Sequence, residues 1–277
     1  MSLAHDLQFA VEIARSAGRV AMRHYGLVER LTKTHATTTA EAVTEGDRAT
    51  QRHIVEALRR RFPSDGIVGE ENDAGDAITF DCHDPDGRNW VIDPIDGTNN
   101  FISGIGIWAV CMGLLDRGMP VLGVVYDVTR DQVYCAAKGE GAWLGDKRIT
   151  APTTPMSDSS VLMLTSNLIN KDGYCPGWVN AWMGQTNWKI RIFGSAAVEA
   201  VQVGAGVAHA AITVNGKLWD CVAPAAIVFE AGGVLTDLQG KPIFPYDLRH
   251  YSGAKVPFLA AGRAAQDELL RHIAENP

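Results

Sequence analysis

The stretch Trp90-Val-Ile-Asp-Pro-Ile-Asp-Gly-Thr-Asn-Asn-Phe101 carries the strongest structural and chemical signal in the chain. Its first residues are aromatic or β-branched, which is typical of a buried strand, and Pro94 cannot donate a hydrogen bond to a sheet. Asp93 therefore stands at a strand end, and Asp96 follows just before a turn at Gly97. Two carboxylates at this spacing can converge on metal ions, and hard oxygen ligands suit Mg²⁺ or Mn²⁺.

The same segment has a plainer interpretation, because Asp-Gly and Asn-Asn are common in turns and both aspartates could be solvated. A calcium loop is excluded, since Ile95 and Gly97 occupy positions at which that loop needs acids. A phosphatase with a nucleophilic aspartate would have one residue between its two acids, whereas Asp93 and Asp96 have two. Water is therefore the expected attacker, and the backbone N–H groups of Gly97 and Thr98 are expected to face a phosphate.

Acidic residues also occur at two other places where an element ends or begins. Glu70 and Glu71 follow the short apolar segment Gly66–Gly69, and Asp220 follows Trp219 at the start of an apolar helix. Each has an ordinary structural explanation, because acid pairs after strands are usually solvated and an aspartate at a helix start is commonly its N-cap.

The composition limits the class of protein. The chain has 277 residues, 46% of them hydrophobic, and a net charge of −7, so bulk attraction to nucleic acid is not expected. An acidic protein with an anionic substrate needs local cations, which bound metal ions would supply. The apolar stretch Ala196–Val214 is interrupted by polar residues and predicts a buried helix and strand, with no membrane partner.

The cysteines and the first residues concern the cellular compartment. Five cysteines without CxxC spacing indicate free thiols in a reducing compartment, namely Cys82, Cys111, Cys135, Cys175 and Cys221. The first residues have no signal-peptide pattern. These observations predict a cytoplasmic protein.

Hydrophobic periodicity predicts the elements and the fold class. Helices are expected over residues 3–25, 44–62, 194–205, 221–231 and 264–275. Strands are expected over residues 66–69, 89–92, 161–164, 189–193, 210–213, 234–237 and 258–260, with successive antiparallel strands across residues 107–143 and an irregular hairpin or loop over 32–44. The alternation indicates an α/β (α+β) layered sandwich of helix pairs and sheets. Two tightly joined halves are expected, residues 1–150 and 151–277.

Taken in order, four motifs resemble those of the inositol monophosphatase superfamily. They are Gly69-Glu-Glu, Asp93-Pro-Ile-Asp-Gly-Thr-Asn-Asn-Phe101, Trp219-Asp and Glu230-Ala-Gly-Gly. The resemblance covers nearly the whole chain, including the helix start Gly194-Ser-Ala-Ala-Val-Glu199. It implies the layered fold of that family, a magnesium-dependent and lithium-sensitive phosphatase, and a homodimer.

The resemblance also implies a set of metal ligands. Glu70, Asp93 and the backbone carbonyl of Ile95 would hold a first ion. Asp93, Asp96 and Asp220 would hold a second. The expected cofactor is Mg²⁺, in two or three ions, with Mn²⁺ as an alternative.

Three residues beside these ligands have implied roles. Thr98 would orient the attacking water through a link to Asp47, which makes Thr98, Asp47 and the ligand Glu70 the expected catalytic residues. Glu71 would lie behind the ligands or reach a third ion. Asp47 also fits a structural role, because Thr44-x-x-Asp47 is a capping-type helix start.

The substrate contacts implied by the resemblance lie in both halves of the chain. They are Gly97, Thr98, Gly194, Ser195, Ala196, Thr213 and Asp220. Inositol-preferring relatives carry an acid a few positions before the metal-binding aspartate, whereas residues 211–218 contain none. Thr213, Asn215 or Lys217 could replace it, and Glu199 could either contribute or be a structural carboxylate.

Three functions therefore remain open. The first is hydrolysis of inositol 1-phosphate or a related polyol phosphate monoester. The second uses the same mechanism on histidinol phosphate, fructose 1,6-bisphosphate or a 3′-phosphonucleotide. The third, a non-catalytic metal-binding protein, is disfavoured because every expected carboxylate is present.

Overall fold

The strand that ends in the two aspartates lies inside the larger of two main sheets. The computed structural model describes residues 2–26, 31–32, 42–43, 45–72, 78–166, 168, 173 and 175–277. Within them, the helices are α1 (Leu3–Ala21), α2 (Glu45–Arg61), α3 (Thr98–Ser103), α4 (Gly177–Gln185), α5 (Ala196–Gly204), α6 (Leu218–Glu230) and α7 (Arg263–Glu275).

The strands form three sheets in the described residues. Their bounds are β1 (Leu31–Thr32), β2 (Ala42–Val43), β3 (Gly66–Gly69), β4 (Thr79–Asp81), β5 (Arg88–Asp96), β6 (Ala109–Asp116), β7 (Met119–Asp127), β8 (Gln132–Ala137), β9 (Gly141–Leu144), β10 (Lys147–Ile149), β11 (Val161–Leu164), β12 (Lys189–Arg191), β13 (Ala210–Thr213), β14 (Val234–Thr236) and β15 (Phe258–Ala261). The large sheet has the order β10-β9-β8-β7-β6-β5-β3-β4, the second has the order β12-β11-β13-β15-β14, and β1 pairs with β2.

Helix pairs and sheets alternate in five layers. Helices α1 and α2 cover one face of the eight-stranded sheet, with Ile54, Leu58 and Trp90 in the core between them. Helices α5 and α6 lie between the two main sheets. Helices α4 and α7 cover the outer face of the five-stranded sheet, where Trp178 and Trp182 are buried. This arrangement confirms the predicted layered sandwich.

Helix α6 lies unusually close to the large sheet, and this proximity fixes the position of Asp220. A Cβ atom on Gly123 of β7 would lie 2.2 Å from the carbonyl oxygen of Ala223 in α6. Only glycine leaves room for that approach, so Gly123 lets the helix rest directly on the strands. The first turn of α6 is thereby held beside the end of β5.

Several element boundaries differ from those predicted. Helix α1 ends at Ala21, and turns continue to Gly26, whose φ of 70° favours glycine. Helix α3 and strands β4 and β10 were not predicted because they have too few residues to show a periodicity. Helix α4 was not predicted either, and it contains two glycines, Gly177 and Gly184, which are poor helix formers. The antiparallel pairing of β1 with β2 agrees with a hairpin, while most of residues 32–44 lie outside the described part.

The division at residue 150 stays a prediction. Residues 66–149 supply the eight-stranded sheet and residues 161–261 the five-stranded sheet. The central core takes side chains from both, for example Val91 and Ala260.

Candidate active site

An irregularity in β5 turns both aspartates of the central motif toward the same side of the sheet. Opposite Asp93 stands Cys111 and opposite Asp96 stands Ala109, so β5 has one residue more than β6 over this interval. In a regular strand, residues three apart face opposite sides, and one extra residue reverses that alternation. Asp93 and Asp96 can therefore both face the layer of α5 and α6.

Three carboxylates meet in that layer. Asp93, Asp96 and Asp220 each offer an oxygen atom, and these atoms lie within 4.8 Å of one another. Asp93 is 1% exposed and Asp96 4% exposed, although charged side chains are rarely buried without a partner. Asp93 and Asp220 are 127 positions apart in the sequence, and the fold brings them together.

Burial and mutual repulsion disfavour the ionised forms of these acids. Burial is the largest cause that raises the pKa of Asp93 well above its usual value, followed by the charges of Glu70, Asp96, Asp220 and Asp47. Burial also raises the pKa of Asp220 to about 7, with the charge of Asp96 adding to it. A bound cation would relieve both effects, because it stabilises the ionised carboxylates.

Asp96 also accepts three hydrogen bonds from the segment that begins α5. The N–H groups of Ala196 and Ala197 donate to its two carboxylate oxygens, each at 3.0 Å, and the hydroxyl of Ser195 donates to Oδ2. Burial raises its pKa, and these hydrogen bonds oppose the rise. Asp96 thus joins the end of β5 to the N-terminus of α5, where a negative charge is favourable.

Asp220 lies in the first turn of α6 and is not its N-cap. The N-cap is Lys217, and the carboxylate of Asp220 accepts a 2.6 Å hydrogen bond from the backbone N–H of Lys217. The structural explanation considered from the sequence, an N-capping aspartate, is therefore wrong in detail. A carboxylate at this position can reach back to the N-cap residue. The bond fixes the side chain beside Asp93.

Glu70 and Glu71 directly follow β3, which is the neighbour of β5 in the large sheet. The N–H of Glu70 donates to the carbonyl of Ile92 at 3.3 Å, which extends the parallel pairing past the strand end. The charge of Glu70 raises the pKa of Asp93. Glu71 is buried, and the side chain of Gln51 accepts from its N–H at 2.9 Å and donates to its carbonyl. Gln51 thereby anchors this turn to α2.

Asp47 is buried in the first turn of α2, and the capping-type start with Thr44 stays a prediction. Its charge also raises the pKa of Asp93, so it faces the same cluster. Thr44 lies outside the described residues. The link between Asp47 and Thr98 stays a prediction.

The turn after β5 holds Thr98 and Ile95 together. The Thr98 hydroxyl donates to the carbonyl of Ile95 at 3.0 Å. Gly97 has a φ of 91°, and a Cβ there would lie 3.1 Å from Ser195 Cβ. Glycine is therefore needed both for the backbone conformation and for the approach of the segment before α5.

Two residues that organise the site were not recognised as such from the sequence. Asn100 donates to the carbonyls of Ile107 and Phe193, at 2.8 and 2.7 Å, and so ties α3 to the loop before α5. Glu199, considered as a substrate contact or a structural carboxylate, is 1% exposed and accepts the N–H groups of Phe193 and Gly194 at 2.6 and 3.0 Å. Burial raises its pKa to about 8, against the effect of those two bonds.

Of the expected substrate contacts, Ser195 and Thr213 are almost fully buried, at 1% and 2% exposure. Asn215, two residues after Thr213, accepts a 2.6 Å hydrogen bond from Lys255. A substrate role for Thr213, as for Gly194 and Ala196, stays a prediction.

The three carboxylates fit a divalent metal ion. Their oxygens are the hard ligands that Mg²⁺ and Mn²⁺ prefer, and a bound cation would oppose the burial and mutual repulsion that raise the pKa values of Asp93 and Asp220. Backbone and hydroxyl donors hold Asp96 and Asp220 in position, as is common for the surroundings of metal ligands.

A family comparison agrees with this geometry. The model of the inositol monophosphatase family matches residues 2–277. The chain belongs to the inositol monophosphatase family. The family is metal-dependent, and its named members include phosphatases of phosphate monoesters, which confirms the family and enzyme class predicted from the sequence.

Individual relatives of the inositol monophosphatase family share the fold and differ in name. The chain is 34% identical over 241 residues to the fructose-1,6-bisphosphatase/inositol-1-monophosphatase of Thermotoga maritima, covering 85% of this chain and 86% of that protein. It is 33% identical to the histidinol-phosphatase of Mycobacterium tuberculosis, covering 85% and 88%. The solved structure of an IMPase from Thermotoga maritima superposes with a TM-score of 0.82 at 30% identity, covering 98% and 97%.

Proposed function

We propose that this protein hydrolyses a small phosphate monoester with water as the nucleophile, using Mg²⁺ held by Glu70, Asp93, Asp96 and Asp220. The observation that carries the proposal is that three carboxylates, two of them buried, meet within 4.8 Å. Like charges so close are unfavourable without a cation, so the arrangement is explained by metal binding. Membership of a family of metal-dependent phosphatases supports the same conclusion.

Divalent cations, when bound, lower the pKa of water and neutralise charge on a phosphoryl group. The residues of the chain supply rigid positions for this chemistry. Ser195 and the first N–H groups of α5 fix Asp96, and the N–H of Lys217 fixes Asp220. Ligands already held in one orientation need no reorganisation during the reaction.

Thr98 is suited to orient the attacking water. A hydroxyl has one hydrogen to donate and two lone pairs to accept. The hydrogen of Thr98 is directed to the carbonyl of Ile95 at 3.0 Å, so its lone pairs remain available to accept a hydrogen bond from water. Asp47 and Glu70, whose charges both act on Asp93, would accept the proton released by the attack.

The proposed substrate class is a polyol phosphate such as inositol 1-phosphate. A carboxylate that accepts two vicinal hydroxyls contributes strong charge-assisted bonds. Residues 211–218 offer no such carboxylate, and Glu199 is engaged with the backbone. We therefore expect modest kcat/KM on inositol 1-phosphate and comparable or better turnover of another phosphate. The relatives named for fructose 1,6-bisphosphate and histidinol phosphate motivate those two alternatives.

One experiment tests both the mechanism and the substrate. Phosphate release is measured for inositol 1-phosphate, histidinol phosphate, fructose 1,6-bisphosphate and adenosine 3′,5′-bisphosphate, first in chelator and then at saturating Mg²⁺. Activity should appear only with the metal ion, and the Asp220→Asn variant should remain inactive. Full hydrolysis in chelator would refute the mechanism. A preference of about a hundredfold for inositol 1-phosphate, equivalent to about 2.7 kcal/mol, would refute the expected breadth.

The remaining proposals follow from family resemblance. Li⁺ should inhibit at millimolar concentration, which the same assay measures. The proposed assembly is a homodimer, testable by light scattering, and the proposed location is the cytoplasm. None of the helices in the described part of the chain combines the length and apolarity that a bilayer crossing needs.

A further inference from the structure

A cavity of about 210 Å³ lies along α2, on the side of Glu71. Its basic and neutral polar lining residues are Arg48, Gln51, Arg52, Arg59, Asn72 and Thr79. The three arginines share one flank of α2 because they are spaced four and seven residues apart, which corresponds to one and two helical turns. The cavity is smaller than the roughly 300–1,000 Å³ typical of sites for drug-sized ligands, so its size suits a small ion.

The arginines differ in their partners. Arg52 is paired with Glu45 at 2.8 Å, and Arg59 with Asp81 at 3.1 Å. Arg48 has no ion pair to any side chain in the described residues, and its Nε atom is buried without a hydrogen-bond partner there. Buried donors are normally satisfied, so this one is an exception. Arg48 also lines the cavity, so its guanidinium brings a positive charge to it that no side chain of the described residues neutralises. A guanidinium is also the side chain best matched to an oxyanion.

The floor of the cavity is rigid. Gln51 donates from Nε2 to the carbonyl of Glu71 and, at 3.1 Å, to the hydroxyl of Thr79. Its Oε1 accepts the N–H of Glu71 at 2.9 Å. A lining held by several hydrogen bonds loses little freedom when a ligand binds.

Acidic side chains also line the cavity and oppose anion binding. Glu56 and Glu71 belong to the lining. Glu56 lies 3.8 Å from Arg60, which partly neutralises it. Glu45 and Asp81 offset the charges of Arg52 and Arg59 in the same way, so the positive charge on which the site depends is that of Arg48.

We propose that this cavity is an oxyanion site, separate from the carboxylate cluster, in which the Arg48 guanidinium binds a phosphate- or sulfate-sized anion. The site needs no divalent cation, because its positive charge is supplied by arginine. It is also adjacent to the metal cluster, since Asp47 precedes Arg48 on α2 and Gln51 holds the turn that follows Glu70. An anion there would therefore stabilise the segments that carry two of the proposed active-site acids.

The test is a calorimetric titration of the full-length protein with inorganic phosphate, and separately with sulfate, in chelator and at saturating Mg²⁺. The wild-type protein should bind one anion in chelator, and phosphate should find an additional, Mg²⁺-dependent site at saturating metal. Arg48→Gln should weaken the metal-independent binding at least tenfold. Arg61→Gln, an equal loss of charge at an exposed position of the same helix outside the cavity, should leave it unchanged.

The inference is overturned if the wild-type protein binds no anion in chelator. Equal binding to wild type and Arg48→Gln would show that the guanidinium is not the receptor. Equal weakening in Arg48→Gln and Arg61→Gln would show only a bulk charge effect. Arg48→Lys, which keeps the charge and lacks the planar fork, should bind with intermediate affinity and provides the comparison if Arg48→Gln does not fold. Loss of the Mg²⁺-dependent site alone would instead contradict the proposed function.

Discussion

Asp93→Asn should abolish activity and yet stabilise the metal-free protein. Carboxylate oxygens of Asp93, Asp96 and Asp220 lie within 4.8 Å of one another. At an effective dielectric constant of about 20, two full charges at that distance repel by about 3.5 kcal/mol. Protons shared within the cluster reduce this, since the pKa of Asp220 is about 7. Asparagine can still accept the N–H that Ile95 donates to Asp93 at 2.9 Å.

The expected gain in the free energy of unfolding is therefore about 2–4 kcal/mol near neutral pH. For a protein of this size, that corresponds to a rise in Tm of about 5–10 °C. The gain should increase with pH. The pKa values of Asp93 and Asp220 are raised in the folded state. At pH values above 3.8, the ordinary pKa of an aspartate, the folded state therefore binds more protons than the unfolded state. The stability of the metal-free wild type then falls as pH rises through this window, and asparagine removes part of the fall.

Thermal melting followed by circular dichroism, in chelator and in Mg²⁺, measures these effects. Mg²⁺ should raise the Tm of the wild type, because a ligand at a hundred times its Kd contributes about 2.7 kcal/mol, and should have little effect on Asp93→Asn. Asp146→Asn, the same change at an exposed turn, is the control and should behave as wild type. A metal-free Asp93→Asn protein that melts at or below the wild-type temperature would refute the electrostatic account.

Three further substitutions separate the roles of neighbouring groups. Ser195→Ala removes a donor to Asp96, so the Mg²⁺ concentration for half-maximal activity should rise about 10–100-fold with kcat largely retained at saturation; an unchanged Mg²⁺ titration would contradict this role. Thr98→Ala should lower kcat about 10²–10³-fold with little change in KM, and Thr98→Ser should restore it; equal kcat values for Thr98→Ala and wild type would rule out a water-orienting role. The pKa of Glu199, raised to about 8, makes wild-type stability fall between about pH 4.5 and 8. Glu199→Gln should flatten this pH dependence, measured by chemical unfolding, and should be the more stable protein at pH 8. Parallel pH curves for the two proteins would show that Glu199 does not titrate in that range.

The sequence was sufficient to predict the layered fold and the three meeting carboxylates. The fold prediction depends on long apolar periodicities, and the ligand set was implied by the motifs that resemble the inositol monophosphatase family. The prediction that the strand ends at Asp93 is wrong, because β5 continues through Pro94 to Asp96. Asp220 was assigned to the site by its place beside Trp219, although its exact helical position was not predictable. Its capping-box contact with Lys217 depends on where α6 begins, and helix starts are uncertain by a residue or two.

What the sequence could not reveal were contacts between distant segments. Glu199 sits on an apolar helix, and nothing in its neighbourhood indicates that it accepts the N–H groups of the preceding turn. In the sequence, Asn100 is indistinguishable from an ordinary turn asparagine. Its hydrogen bond to the carbonyl of Phe193, in the loop before α5, exists only in the folded protein. The extra residue between Asp93 and Asp96 is visible only once β6 pairs with β5. Each of these depends on tertiary packing, which local periodicity does not encode.

The hydrogen bonds that Asp96 accepts from the start of α5 have an evolutionary consequence. The Asp96 carboxylate has two roles. It belongs to the acidic cluster, and it also joins the eight-stranded sheet to the layer of α5 and α6 that lies between the two main sheets. A lineage that abandoned catalysis would be free to replace Asp93, whose charge destabilises the metal-free fold, but it would pay a structural penalty for replacing Asp96. Retention of Asp96 in a distant homologue is therefore weak evidence of enzymatic activity, and the residue at position 93 is the better diagnostic.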